Sequence, residues 1–338
     1  MALRIENNYP LKEHNSFGLD VLADRFVEYS TEDELREALN LASGWDGPLL
    51  HIGAGCNLLF CGDYHGTVLH SANRSFEVLE KAGDTVLVRA GSGLDWDSFV
   101  LQCLENGFFG LENLSGIPGE TGSSAVQNIG AYGVEVCERI ERVEVLDVES
   151  GQKRVFAADE CAYGYRDSIF KRPDHKHFIV LAVYYRLSTV FEPVLTYAPL
   201  SRMSPDGLTA MDIRAEVLSL RSSKLPDPAV LGNAGSFFMN PVVPLSKARA
   251  LAAEYPDIPQ YPATDGFVKL SAAWMIDRCG WKGRTMGQAG VYERQPLVLV
   301  NLGGATGEEV LSLAHAVIDS VYDKFGVFLR PEVNAIHS

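Results

Sequence analysis

Residues 115–133 read SGIPGETGSSAVQNIGAYG. Glycine and serine dominate the stretch, yet Ile117, Val126 and Ile129 are of the buried type and charge is nearly absent. A run of this length without regular structure, inside a compact domain, is either functional or disordered. Its apolar residues and low charge disfavour disorder. Gly, Ser, Gln and Asn present backbone and amide hydrogen bonds without charge, which suits an extended ligand with a diphosphate and a heteroaromatic ring. A rigid Ω-type loop is the alternative.

Upstream, the first hundred residues read as alternating strand and helix. Thr31 and Glu34 form a capping box for a helix with Leu35, Ala38 and Leu39 on its apolar face. GPLLHIG (47–53) is a buried strand that runs into GAGCNLLF. TVLVRAG (85–91) is a second strand, followed by a helix capped by Asp95, with Phe99, Cys103 and Leu104 inward and Gly107 as its stop. Downstream, ERVEVLDV and KRVFAAD flank residues 149–152 as a hairpin, and HFIVLAVYYRL (177–187) is a strand with a continuous apolar core. Residues 209–220 read as a helix capped by Thr209 with Ile213, Val217 and Leu220 inward. RSSKLPDPAVLG (221–232) is a linker. The chain closes with a helix capped by Thr306 and Glu309, stopped by Gly326, and a terminal strand, VFLRPEVNAI.

The 338 residues allow two or three domains, and the net charge of −15 argues against nucleic acid or an anionic membrane surface as partner. Six scattered cysteines, with neither a CxxC pair nor zinc spacing, predict no metal site and a reducing, cytoplasmic setting. No apolar run is long enough to span a membrane.

Five further stretches carry candidate chemistry. GAGCNLLF follows a strand as phosphate loops do, but Leu58 stands where the dinucleotide fingerprint needs its third glycine, so it is either another kind of phosphate loop or a plain turn. In YGYRDSIFKR, Arg166 pairs with a surface acid such as Asp167 or serves a ligand. In GNAGSFFMNP (232–241), small residues clear the space around Ser236 before two phenylalanines, as in a turn entering a strand or a serine presented to a ligand. Glu332, after Pro331 in a terminal strand, is solvent-facing by alternation, or buried and in need of a partner. Lys224, Lys269, Lys282 and Arg284 are solvated cations individually and a diphosphate site if assembled. Tyr197, in LTYAPL, is a core tyrosine or part of a mobile lid.

In this order, GAGCNLL, GLENLSGIPGETGSSAVQNIGAYG, YGYRDSIFK, GNAGSFFMNP and RPEVNAI resemble the UDP-N-acetylenolpyruvoylglucosamine reductase (MurB) family, from HNSF at residue 14 to the C-terminus, with LTYAPL as in its type I form. The resemblance implies an α/β chain with a PCMH/VAO-type FAD-binding fold of two α/β subdomains and a C-terminal α/β substrate-binding domain. It implies boundaries at 1–72 and 73–222 for the two flavin subdomains, with a PCMH-type region over about 17–189 and a tyrosine loop over about 190–204. Residues 223–326 are then the substrate domain, and 327–338 a strand returning to the active site.

It also implies noncovalent FAD, NADPH as donor, and UDP-N-acetylglucosamine enolpyruvate as the small-molecule partner, in a monomeric or weakly associating cytoplasmic enzyme. Arg166, Ser236 and Glu332 match the catalytic positions. Arg166 and Glu332 stabilise charge on the substrate carboxylate, and Ser236 donates the proton. FAD falls to Gly53, Ala54, Gly55, Cys56, Asn57 and Leu58, and to Ser115, Ile117, Pro118, Gly119, Gly122, Ser123, Ser124, Gln127, Asn128, Ile129, Gly130 and Ala131. Tyr197, Lys224, Asn240, Tyr261, Lys282 and Gln295 fall where the family contacts substrate or NADPH. Cys56, where serine is common, and the run ETGSSAV depart from the family pattern and imply altered FAD contacts. Two other readings remain: a flavin oxidase of the same fold acting on an alcohol, and a nucleotide-sugar binder without activity.

Overall fold

The strand Phe178–Ser188 is buried on both faces, which explains its unbroken apolar run. Val180, Val183 and Tyr185 enter one hydrophobic core with Val86, Phe99 and Val143, while Ile179 and Leu181 enter a second with Val27, Leu35 and Leu69. It is the middle strand of an antiparallel five-stranded sheet in the order Lys153–Ala157, Ile140–Asp147, Phe178–Ser188, Thr85–Gly91, Phe76–Ala82. The computed structural model describes residues 3–337.

A four-stranded sheet supplies the other side of the second core, in the order Arg4–Pro10, Leu22–Tyr29, Tyr64–Ser71, Leu49–Ile52, the last two parallel. Helix α1 (Glu32–Ala42) packs Leu35 and Ala38 into the same core, and its Thr31 side chain accepts the Glu34 N–H. Helix α2 (Trp96–Glu105) starts on Asp95, whose carboxylate accepts the Ser98 N–H, and Gly107 follows it in the left-handed region. Sequence reading finds both helices but misses the strands Arg4–Pro10, Leu22–Tyr29, Tyr64–Ser71 and Phe76–Ala82. Phe76–Ala82 is an exposed edge with little apolar alternation to betray it.

The segment 110–133 differs most from expectation. It holds a seven-residue helix, α3 (Thr121–Gln127), because Ser123 Oγ accepts the Glu120 N–H and Ala125 reaches the first core. Helix α2 pins the preceding turn. Trp96 Nε1 donates to the Leu114 carbonyl at 2.9 Å, and Asp97 accepts the Gly116 N–H at 2.6 Å. Asp97 is held in turn by a bidentate pair with Arg214 of α4 (Ala210–Lys224). That helix runs four residues beyond its expected end, into the linker, with Thr209 Oγ1 accepting the Asp212 N–H.

The contact network divides the chain into two compact units. The first holds residues 1–9, 24–54 and 65–223, and the second 10–23, 55–64 and 224–338. The division therefore falls inside GAGCNLLF, between Ala54 and Gly55.

The second unit has two antiparallel sheets. One runs Gly232–Ser236, Val298–Asn301, Ala289–Val291, Thr285–Met286; the other runs Val242–Pro244, Phe267–Leu270, Gln260–Pro262. Helices α5 (Leu245–Glu254) and α6 (Ala272–Arg278) were not apparent in the sequence. Helix α7 (Gly307–Phe325) carries the capping box on Thr306 and Glu309 and ends at Gly326, φ +58°. Regular pairing in the terminal segment is confined to Asn334–Ile336, shorter than expected, parallel to Leu58–Phe60. No helix among the described residues is long and apolar enough to cross a membrane.

Candidate active site

Ser236 ends a bulged strand. Asn233 pairs with Val300, the register then slips through Ala234 and Gly235, and Ser236 pairs with Val298. Gly235 makes the slip possible at φ +66°, and a Cβ built there meets nothing within 4 Å. The space beside Gly235, the residue before the serine, is thus open. The carboxamide of Asn233 holds the bulge by accepting the Gly235 N–H at 2.9 Å and donating to the carbonyls of Leu231 and Pro226. Phe237 and Phe238 are buried, and their rings meet edge to face at 5.1 Å.

Glu332 is brought to the same strand. Its N–H donates to the Phe237 carbonyl at 2.8 Å, and Phe238 bridges Pro331. It lies in a bend before the last strand, half-buried, rather than within an apolar strand. Asn57 Nδ2 donates to the Glu332 carbonyl at 3.1 Å, so the second half of GAGCNLLF is tied to the acid. The piece that joins these parts is HNSF (14–17), which sequence reading marks only as the start of the family likeness, without a role. Ser16 donates its N–H to the Gly55 carbonyl and accepts the Asn233 N–H. A Cβ on Gly55 would lie 1.9 Å from the His14 carbonyl oxygen, and one on Gly232 2.1 Å from that of Phe17. The two glycines are the signal: each lets one backbone touch another.

Of the substrate positions in this unit, Gln295 lies in the turn that leads to Leu297, whose carbonyl accepts the Phe237 N–H. Asn240 Oδ1 accepts the Ala272 N–H at the start of α6. Tyr261 pairs across its sheet with Lys269, while Lys282 and Arg284 are exposed and Lys224 is half-buried at the end of α4. Cys61, Glu308 and His337 have ligand-type atoms within 4.8 Å of one another, a proximity their spacing hides. Burial and then Glu308 push the Cys61 thiol up to about 11.

Arg166 belongs to the first unit. It adopts φ +56°, a conformation that costs an arginine about 1–2 kcal/mol. Reciprocal backbone bonds between Gly164 and Asp167 impose it, and Lys171 donates to the Arg166 carbonyl at 2.8 Å. The guanidinium donates to the carbonyls of Asn128 and Gly130, and a Cβ on Gly130 would lie 3.1 Å from Arg166 Nη1. The arginine is therefore docked on the end of the glycine-rich segment.

Within that segment the side chains of Ser115, Ser124 and Asn128 serve the interior. Ser115 bonds Glu112, Ser124 meets the Tyr185 hydroxyl, and Asn128 bonds Glu135 and Gly164. What these positions offer a ligand is backbone. Ile117, Gly119, Ser123, Gln127, Ile129, Gly130 and Ala131 are half-exposed, Pro118 is exposed and Gly122 is buried. Gly119 has φ +131°, open only to glycine, and a Cβ on Gly53 would lie 3.1 Å from a Glu120 carboxylate oxygen and 3.6 Å from Ser123 Oγ. The bare backbone at Gly119 suits an extended ligand, whereas the space at Gly53 faces the Glu120 carboxylate and Ser123.

Beside it lies a network that sequence reading misses. His70, 6% exposed, bonds Glu28 through Nδ1 at 3.0 Å and Glu120 through Nε2 at 2.9 Å. Desolvation pulls the imidazole pKa down, but the bonds and charges of Glu120 and then Glu28 outweigh it, and the pKa is raised. Nearby His51 is pushed down to about 3, by burial first and then by His70.

Tyr197 is 39% exposed and packs edge to face on Tyr132 at 5.2 Å. Its loop is anchored rather than detached. Asn113 Nδ2 donates to the carbonyls of both Tyr132 and Val194, and Leu195 packs against the buried Leu200, Ile213 and Val217.

Residues 227–336 match the family model for the UDP-N-acetylenolpyruvoylglucosamine reductase C-terminal domain, and residues 23–155 that for an FAD binding domain. The UDP-N-acetylenolpyruvoylglucosamine reductase of Bacteroides fragilis (strain YCH46) is 50% identical over 334 residues, 98% of this chain and all of that one. The chain belongs to the UDP-N-acetylenolpyruvoylglucosamine reductase family. The reductase of Porphyromonas gingivalis (strain W83) is 46% identical over 98% of this chain and 99% of its own. Among solved structures, the reductase (MurB) from Thermus caldophilus superposes with a TM-score of 0.70 over 99% of this chain and all of that one, at 23% identity, a likeness of fold. Family membership makes the chain an oxidoreductase and a flavoprotein that uses FAD and NADPH.

Proposed function

We propose that Ser236 delivers the proton in this flavin-dependent reduction of UDP-N-acetylenolpyruvoylglucosamine, a step of peptidoglycan synthesis. The observation that carries the reading is the cleared, bulged end of the Ser236 strand with Glu332 fastened to the next residue. Bound FAD supplies the hydride relay from NADPH to the enolpyruvyl group. Hydride arrival at one vinyl carbon sends the electron pair toward the substrate carboxylate. Arg166 stabilises that charge as it grows. Glu332 bonds the same carboxylate, protonated or sharing a cationic partner, since an ionised and unpaired acid repels it. Ser236 Oγ then releases its proton to the other vinyl carbon, completing the saturated lactyl ether. A serine is a weak acid and suits only a strongly basic carbanion. The buried Phe237 and Phe238 keep its strand from shifting.

Gly53–Leu58 and Ser115, Ile117, Pro118, Gly119, Gly122, Ser123, Ser124, Gln127, Asn128, Ile129, Gly130 and Ala131 are assigned to FAD, supported by the bare, glycine-only backbone at Gly119. Tyr197, Lys224, Asn240, Tyr261, Lys282 and Gln295 are assigned to substrate and NADPH. The enzyme is cytoplasmic, monomeric or weakly associating, and binds neither nucleic acid nor membrane, in keeping with its charge of −15 and its free cysteines. Anaerobic addition of NADPH should bleach the yellow protein, and the enolpyruvyl substrate should restore its absorbance. Bleaching that only oxygen reverses would contradict the reading.

A further inference from the structure

We infer that His70, as an imidazolium, neutralises Glu120 at the Gly53 turn and so positions that turn for an anionic ligand. The inference rests on the reading of Gly53 as part of the FAD diphosphate loop. A carboxylate oxygen 3.1 Å from the point where a Gly53 Cβ would sit opposes a diphosphate there, because like charges repel strongly where water is scarce. ETGSSAV puts that acid in the segment. His70 sets a positive charge 2.9 Å from the opposing carboxylate oxygen.

The surroundings keep that charge in place. From the strand Leu22–Tyr29, Glu28 faces Nδ1, and Arg4 on the neighbouring strand bonds Glu28 at 3.2 Å and Glu6 at 2.6 Å. From the strand Leu49–Ile52, His51 lies 2.8 Å from the Tyr29 hydroxyl, and its lowered pKa keeps it neutral. Phe26 stacks on the imidazole at 6.1 Å. Only an imidazolium has an N–H for each of the two carboxylates. A neutral ring loses one of these bonds and leaves Glu120 uncompensated. The folded pKa of His70 is raised, so this contribution is complete below the unfolded value of about 6.5 and is lost as pH climbs through the folded value.

The experiment is titration of deflavinated full-length protein with FAD, followed by fluorescence, from mildly acidic to alkaline pH. Wild-type affinity should fall as His70 deprotonates. H70Q should bind FAD roughly tenfold or more weakly at neutral pH, the scale of one uncompensated charge. H70Q/E120Q should recover most of that loss, and E120Q alone should bind at least as tightly as wild type with a flatter pH profile. A merely structural histidine would not be rescued by removing the acid. Wild-type affinity in H70Q, or a double variant as weak as H70Q, overturns the inference. Should H70Q fail to fold, E120Q decides: a profile that follows wild type overturns it. A wild type that binds no FAD strikes the loop reading itself.

Discussion

Two residues that the family reading places at the reaction, Arg166 and Ser236, are positioned by the same backbone device used in opposite ways. At Ser236 the left-handed residue is the glycine before it, and the serine itself is unstrained. At Arg166 the functional residue is itself left-handed, at φ +56°. Glycine leaves room around a small side chain that must be approached. The arginine accepts strain because its guanidinium and carbonyl are both tied down, to Asn128, Gly130 and Lys171. The first arrangement favours access and the second rigidity, in keeping with the proton donor and the charge stabiliser proposed above.

The sharpest way to break the comparison is Ser236→Ala. It should fold, bind FAD and accept hydride from NADPH normally, while reoxidation by substrate slows by about two to four powers of ten. Stopped-flow absorbance separates the two half-reactions, and equal slowing of both returns Ser236 to a turn residue. Gly232→Ala should destabilise by about 3 kcal/mol, because its Cβ meets the Phe17 carbonyl at 2.1 Å and backbone must move. A denaturant melt reads this directly. Arg166→Lys should keep the fold and lose roughly two powers of ten in the substrate half-reaction, since one ammonium cannot replace a planar fork.

Gly235→Ala isolates the conformational cost. With open space around it, the penalty should be the about 1–2 kcal/mol of a left-handed alanine, well below that of Gly232→Ala. Equal thermal shifts for the two would mean that the bulge, not the contact, sets both. The smallest effect should come from Tyr197→Phe, a several-fold weakening of substrate binding worth about 1 kcal/mol, with NADPH oxidation intact. Loss of NADPH oxidation instead would remove Tyr197 from the substrate.

Helices α1, α2 and α7 and the hairpin at residues 149–152 were legible because local chemistry specifies them: a cap, an apolar stripe, a stop. Ser236 and Arg166 sit in short runs whose glycines and aromatics draw attention, but their proposed roles came only from the family resemblance. Helix α3 was hidden by its glycine and serines, whose weak propensity is overridden once Ala125 reaches a core built by strands far away in the chain. The role of HNSF stayed hidden because what it does, filling the gaps left by Gly55 and Gly232, is a contact between backbones and leaves no pattern of its own. The same holds for His70. A histidine in a strand reads as one half-polar residue, and only pairing across the sheet and the turn at Glu120 set two carboxylates against its ring. Local chemistry determined the elements and the motifs of a family nominated the reacting residues; long-range packing alone decided which charges meet at His70, because charge pairing depends on distance in space rather than along the chain.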